Sequence, residues 1–276
     1  MSAGPKVVKM SAAGNDFLVL GSDQAGCIRG DPIDWVRRVC RRGLSVGADG
    51  VLFVEPRGDG RVRVRFHNPD GSAAFCGNGS RCAARFSRMR GYAGNEMVLD
   101  TAAGDVRARV EGERVRLELP APGNRGRKVL DLSGERIDGR MIVAGVPHFV
   151  VRVPSTVQAP LERWGPRVRR HPEFGAEGSN VDLLASTPTG ELAVRTWERG
   201  VEAETLACGS GAVAAAFAAR LDGADEWIRV LPASGVALEV GLPGPREDPT
   251  EAILVGDARV IFEAELDAEA TSGFTP

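Results

Sequence analysis

The feature that most constrains this chain is a short segment that occurs twice, once in each half. Cys76-Gly-Asn-Gly-Ser-Arg-Cys-Ala-Ala and Cys208-Gly-Ser-Gly-Ala-Val-Ala-Ala-Ala share the cysteine, both glycines and the two closing alanines. Each copy follows an alternating strand pattern and a polar loop, and each leads into a helical pattern. Two copies of one unit predict two similar domains that face each other, with a site in the cleft between them.

Strand patterns dominate the rest of the sequence, with a few helices between them. Asp31-Pro32 predicts a helix start, because Asp caps free N–H groups and Pro is tolerated in the first turn; the helix should stop near Gly43. Other helices are expected from Ser80 to about Arg90, over Leu161–Arg170 and after Cys208. A segment rich in Pro and Gly follows residue 120, so we expect domains at 1–120 and 121–276, with the final strand packing back on the first.

Composition excludes several classes of protein. The net charge of -2 gives no electrostatic reason to bind nucleic acid or an anionic membrane. No apolar run approaches the ~20 residues of a membrane span, and the N-terminus does not resemble a signal peptide. The five cysteines are an odd number without the spacing of a disulfide scaffold, so a reducing cytoplasm is expected.

A cysteine followed by Gly-x-Gly at a helix start predicts a defined chemistry. The first helical N–H groups lack partners and the helix dipole is positive there, so a thiol should be more acidic than a free one. The same N–H groups suit a carboxylate. If the two units face each other, one thiolate can remove an α-proton while the opposite thiol returns a proton. Cys76 and Cys208 are therefore the predicted acid and base of a stereoinversion.

Cofactor and metal chemistry are the alternatives to two thiols. Pyridoxal phosphate needs a lysine, and none of Lys6, Lys9 and Lys128 lies in a Gly-rich phosphate-binding context. A metal site would need cysteines and histidines at spacings that match no usual zinc pattern, and a redox dithiol would normally show Cys-x-x-Cys. We therefore expect no cofactor and no metal, and interpret Cys27, Cys40 and Cys82 as packing residues.

His148 and Glu198 are candidate partners of the two thiols. His148 follows Pro147, and Glu198 precedes Arg199-Gly200. Both residues also have ordinary interpretations, since a single histidine near a strand end is often a satisfied structural residue and a glutamate is often a surface charge.

At these residues the sequence resembles the diaminopimelate epimerase family, whose members interconvert LL- and meso-diaminopimelate on the route to lysine and peptidoglycan. The resemblance covers nearly the whole chain. The matching segments are Lys9–Phe17, Gly47–Gly50, Asn68–Ser72, Cys76–Cys82, Pro147-His148, Gly178–Asn180, Glu198–Gly200 and Glu204–Gly211.

The resemblance implies a mixed α/β fold of two pseudo-symmetric domains, each a curved, mostly antiparallel sheet around a central helix. It also implies a homodimer without a cofactor. Cys76 and Cys208 match the catalytic pair, and His148 and Glu198 match their partners. The substrate-binding positions matched by the resemblance are Asn15, Asn68, Gly77, Asn78, Asn180, Glu198, Arg199, Gly209 and Ser210.

This sequence departs from the family pattern in the pocket for the distal end of the substrate. Val146 stands where the family often has Asn, and Gly50 where it often has Gln. A related racemase of another amino acid, such as histidine, is therefore an alternative. A non-enzymatic role in which the cysteines form a switchable disulfide is a third hypothesis.

Overall fold

The computed structural model describes residues 4–274, which form two compact units. The first unit runs to Leu117 and takes up the chain again from Gly256, and the second runs from Glu118 to Val255. The helices are α1 (Pro32–Val39), α2 (Gly77–Met89), α3 (Leu161–Arg169) and α4 (Gly209–Leu221), with short 3-10 turns at Ser22–Cys27, Pro172–Phe174 and Ala268–Thr271.

Strands make up most of the regular structure, so the mixed α/β fold class is confirmed. In chain order they are β1 (Lys6–Ala12), β2 (Asn15–Gly21), β3 (Gly50–Gly58), β4 (Arg61–His67), β5 (Ala73–Ala74), β6 (Glu96–Thr101), β7 (Gly104–Glu111), β8 (Arg114–Leu119), β9 (Gly123–Asp131), β10 (Arg136–Ala144), β11 (Val146–Arg152), β12 (Asn180–Ser186), β13 (Leu192–Glu198), β14 (Ala203–Thr205), β15 (Trp227–Leu231), β16 (Leu238–Gly241), β17 (Ala252–Asp257) and β18 (Arg259–Glu265).

The two units use the same succession of strand pairings. In the first unit the strands pair in the order β18, β1, β2, β3, β4, β6 and β7, with β2/β3 and β4/β6 parallel and the others antiparallel. In the second the order is β9, β10, β11, β12, β13, β15, β16 and β17, with β11/β12 and β13/β15 parallel. The repeated sequence segment is therefore one part of a repeated topology.

Each parallel pair needs a crossover connection, and the four helices supply these connections. In the first unit α1 joins β2 to β3, and α2 lies between β4 and β6 and packs against β1, β2, β3, β4, β6 and β7. In the second unit α3 and α4 occupy the matching places, and α4 packs against β10, β11, β12, β13, β15 and β16. Alanines fill α4 because strands approach it closely on several sides. Among the described residues, none of the helices combines the length and apolarity of a membrane span.

Most predicted elements are confirmed, although their ends differ. The Asp31 side chain accepts hydrogen bonds from Ile33 N and Asp34 N, as expected for the cap of α1, but the helix already ends at Val39. Helix α2 begins at Gly77 instead of Ser80, since Cys76 itself is the cap residue. The segment rich in Pro and Gly after residue 120 is only briefly irregular, because β9 begins at Gly123 and pairs with β10.

The cap of α1 gives a stability prediction. Asp31→Ala removes the acceptor for two backbone N–H groups and should lower the free energy of unfolding by about 1 kcal/mol in urea denaturation. Asp34→Ala is the matched control, because it removes a carboxylate from the first turn and its exposed ion pair with Arg37 but no capping acceptor, and it should cost less than Asp31→Ala. Equal losses in the two variants would contradict the capping role.

Candidate active site

Both repeated segments start a helix with the cysteine as its cap residue. Cys76 precedes α2 and Cys208 precedes α4, each with extended backbone dihedrals. The Cys76 Sγ accepts a hydrogen bond from Gly79 N at 3.4 Å, and the Cys208 Sγ accepts one from Gly211 N at the same distance. Each thiol therefore lies at the positive end of a helix dipole, beside backbone N–H groups that have no partner within the helix.

Cys208 does not have the acidic thiol that its helix position suggested. Burial raises its pKa well above the ordinary value, and the negative charges of Glu198 and Asp182 raise it further. Hydrogen bonds from Ser210 and from Gly211 N act in the opposite direction and are outweighed. The expectation of a more acidic cysteine is thus wrong for Cys208, which rests as a protonated thiol at neutral pH.

The remaining three cysteines differ in how deeply they are buried. Cys82 is fully buried in α2, and Cys40 is buried in the core cluster beside α1, where desolvation raises its pKa to about 12. Cys27 is only half-buried. Within residues 4–274, no group of three or more histidine, cysteine or carboxylate side chains could hold a metal ion.

Two of the predicted substrate-binding asparagines meet at the start of α2. Asn78 is buried, and its Nδ2 donates to Asn15 Oδ1 at 2.5 Å. Asn15 Nδ2 in turn donates to Asp49 Oδ2 at 3.1 Å, which fixes the orientation of both amides. Gly77 belongs to the same turn of α2. Asn68 is held separately, since its Nδ2 donates to Ser72 Oγ within its own turn.

A second group of predicted residues meets on β11 and β12 and just after β13. The strand register pairs His148 with Asn180, and both side chains are buried. Asn180 Nδ2 lies 3.3 Å from His148 Nε2, and Asn180 Oδ1 accepts a hydrogen bond from the backbone N of Arg199 at 2.6 Å. The structure therefore joins three of the predicted residues in one hydrogen-bonded chain.

Two members of this group were not predicted from the sequence. Asp182 is fully buried, and its Oδ2 lies 2.7 Å from His148 Nδ1. Thr196 Oγ1 donates to Asp182 Oδ1 at 2.7 Å, because the register of β12 and β13 pairs these two residues. The sequence signal that could have identified Asp182 is a charged residue within an otherwise apolar strand pattern, because a charge that is buried there requires polar partners.

The last residues of the second group lie at the end of β13, directly after it, and at the start of α4. Glu198 is half-buried at the end of β13, and its charge acts on the Cys208 thiol. The Arg199 guanidinium pairs with Glu177 Oε2 at 3.2 Å. Gly209 and Ser210 form the first turn of α4, where Ser210 Oγ lies 3.4 Å from the Cys208 Sγ.

Comparison with known proteins identifies the family. A model of the family described as diaminopimelate epimerase matches residues 7–119 and 140–242. The chain is 38% identical over 276 residues to the diaminopimelate epimerase of Aquifex aeolicus (strain VF5), an alignment that covers 95% of this chain and 97% of that protein. It is 38% identical to the diaminopimelate epimerase of Archaeoglobus fulgidus, with 94% and 95% of the two chains covered.

Solved structures agree on the fold. A probable proline racemase from Agrobacterium radiobacter K84 has a TM-score of 0.70 and 19% identity, with 95% of this chain and 93% of that chain covered. A hydroxyproline epimerase from Agrobacterium vitis has a TM-score of 0.69 and 18% identity, with 98% and 95% covered. Because sequence relatives match over nearly their full length and the family model matches most of the chain, this chain belongs to the diaminopimelate epimerase family.

Proposed function

We propose that this chain interconverts LL- and meso-diaminopimelate without a cofactor, by inverting one α-carbon with two thiols, in the biosynthesis of lysine and peptidoglycan precursors. The observation that carries the proposal is the pair of helices capped by cysteine in a member of this family. We further propose that it acts in the cytoplasm as a homodimer, as the family resemblance implies.

The α-carboxylate of the substrate binds backbone N–H groups at the starts of α2 and α4, at Gly77-Asn78 and Gly209-Ser210. These donors stabilise the negative charge that develops when the α-proton leaves, which is usually the largest catalytic contribution. One cysteine, as thiolate, removes the proton from one face, and the other, as thiol, delivers a proton to the opposite face. The two cysteines exchange roles when the reaction runs in reverse.

Each thiol has a partner that changes its protonation state. The raised pKa of Cys208 suits a proton donor, and Glu198 accepts its proton when the reverse reaction needs a thiolate. His148 is the second thiol partner that the family resemblance implies. Support for Glu198 comes from the effect of its charge on the Cys208 pKa, and support for His148 comes from its burial beside Asp182.

The distal amino-acid head of diaminopimelate binds a separate set of polar side chains. The Arg199 guanidinium binds the distal carboxylate in a bidentate manner and exchanges its ion pair with Glu177 for the substrate. Amide oxygens of Asn68 and Asn180, with the Glu198 carboxylate, bind the distal ammonium. A substrate without this head leaves these groups unpaired, which disfavours it.

A racemase of another amino acid is the second candidate, and the pocket residues favour it in one respect. Val146 offers no side-chain hydrogen bond at a position where the family often has Asn. At Gly50 a longer side chain has no space, because a Cβ there would lie 2.3 Å from the Phe66 ring. Two polar contacts common in the family are therefore absent from this chain.

A substrate panel separates the two candidates. Reduced, cofactor-free protein should convert LL-diaminopimelate to the meso isomer. It should convert amino acids with a single head, such as histidine, at least about 10²-fold more slowly. Chiral chromatography of the reaction mixtures measures both rates. Conversion of histidine but not of diaminopimelate would establish the second candidate and exclude the first.

Removing either reactive thiol should nearly abolish the reaction. We expect Cys76→Ser and Cys208→Ser each to lower kcat/KM by at least about 10³-fold, and the double variant to be scarcely worse, because the two groups act as a unit. Cys82→Ala is the matched control on the same helix as Cys76 and should stay within about threefold of wild type. A serine variant that retained most of its activity would exclude the two-thiol mechanism.

The charge of Glu198 should be measurable at Cys208. Glu198→Gln removes a negative charge that disfavours the thiolate, so the pKa of Cys208 should fall and its alkylation by iodoacetamide should rise at a given pH. Peptide-resolved mass spectrometry across pH measures the shift. Glu204→Gln is the control, because that carboxylate is paired with Arg195. An unchanged pH profile in Glu198→Gln would refute the assigned role.

A further inference from the structure

The hydrogen bonds around His148 have only one consistent set of directions. A backbone N–H can only donate, so the Arg199 N must face Asn180 Oδ1, which turns Asn180 Nδ2 toward His148 Nε2. On the other side of the ring, Asp182 faces Nδ1 at 2.7 Å. A carboxylate accepts a proton that Nδ1 carries, while Nε2 accepts from the Asn180 amide. Two independent contacts therefore select the neutral Nδ1–H tautomer of His148.

The orientation of Asp182 is fixed in the same way. Thr196 Oγ1 donates to Oδ1, which leaves Oδ2 for the histidine. The first turn of α4 lies against Oδ1, since a Cβ added at Gly211 would lie 2.5 Å from that atom. Glycine is required there because the carboxylate occupies the space of a side chain. The helix N-terminus also favours the negative charge of Asp182.

Because the topology is repeated, each of these strand positions in the second unit has a matching position in the first unit. In the second unit, the parallel pairing of β11 with β12 joins His148 to Asn180, and β12 with β13 joins Asp182 to Thr196. The corresponding pairs in the first unit are Phe17 with Gly50 and Leu52 with Phe66. The match holds at the helix as well, since a Cβ at Gly79 would meet Leu52, as one at Gly211 would meet Asp182.

The first unit is therefore apolar where the second is polar. Phe17 and Phe66 pack edge to face with ring centroids 5.9 Å apart, and Leu52 is fully buried below α2. A buried carboxylate with its hydrogen-bond partners is seldom more stabilising than apolar residues of similar volume. The fold thus does not require Asp182 at this position, and its presence needs an explanation in the chemistry of the site.

We infer that Asp182 is a positioning residue that holds His148 in the Nδ1–H tautomer, which leaves the lone pair of the ring on Nε2 for the proton of the thiol that His148 serves. When the S–H bond breaks, the Asn180 N–H···Nε2 hydrogen bond also breaks, the proton forms a bond to Nε2, and thiolate and imidazolium result. Asp182 remains a carboxylate and stabilises the imidazolium, and the proton returns to sulfur in the reverse step. This role rests on the proposed function, but the tautomer can be measured without substrate.

The wild-type tautomer is the first test. The chain has three histidines, so ¹⁵N NMR of histidine-labelled protein gives few signals, and a His148→Gln variant assigns those of His148. At neutral pH, without substrate, we expect Nδ1 to be protonated and Nε2 to be unprotonated. The opposite tautomer would overturn the inference, even if every variant failed to fold.

The second test removes the acceptor that faces Nδ1. In Asp182→Asn with Thr196 donating to Oδ1, the new amide Nδ2 faces Nδ1, while the Asn180 amide still faces Nε2. The Nδ1–H tautomer has then lost its acceptor and should no longer be the single form observed, and kcat should fall by roughly 10²- to 10⁴-fold with little change in KM. Thr196→Val is the control, because the carboxylate alone still accepts from Nδ1–H, and it should stay within about tenfold of wild type.

A double variant tests whether Thr196 sets the orientation of the new amide. In Asp182→Asn with Thr196→Val, nothing holds the amide oxygen away from His148, so the amide can turn and restore part of the Nδ1–H population and of kcat. An Asp182→Asn protein that folds, keeps the Nδ1–H tautomer and retains kcat within about threefold would overturn the positioning role. If wild-type protein showed the expected tautomer but did not convert diaminopimelate, the proposed substrate would fail and the role of Asp182 in setting the tautomer would stand.

Discussion

A backbone N–H donated to a cysteine sulfur at a helix start is the interaction on which the proposed chemistry depends. It occurs at Gly79 with Cys76 and again at Gly211 with Cys208. In each case the Gly-x-Gly segment brings the sulfur close to N–H groups that have no acceptor within their own helix, which suits an acid or base beside a bound carboxylate. The topology then presents this arrangement once in each unit.

The two copies share a backbone plan but differ in their interiors. Below α2 the matched strand positions are filled by aromatic and aliphatic side chains, whereas below α4 they carry His148, Asp182 and Thr196. The two thiols therefore belong to helices with chemically different surroundings. At Cys208, burial and two carboxylates keep the sulfur protonated, against the effect of the helix N-terminus.

The helix starts and the repeated unit could be predicted from the sequence, because a cap or a repeated segment can be recognised from a few neighbouring residues. Asp31 marked the start of α1, and the two Cys-Gly-x-Gly segments marked α2 and α4. The sign of the Cys208 pKa shift could not be predicted, since burial and the charges of Glu198 and Asp182 come from distant strands. Asp182 was hidden for the same reason: its partners lie 34 and 14 residues away, and only the strand register brings them together.

The central claim is that a different sulfur serves each face of the α-carbon, and deuterium incorporation in the first turnover tests it most directly. Reduced, cofactor-free protein in excess is mixed with LL-diaminopimelate in heavy water, and the isomers are separated before the reverse reaction begins. The meso product should carry deuterium at the inverted carbon, because the donating thiol has exchanged with solvent, while recovered LL substrate should carry none. Deuterium entering the recovered substrate as fast as product forms, or product that retains the original proton, would contradict a two-thiol mechanism.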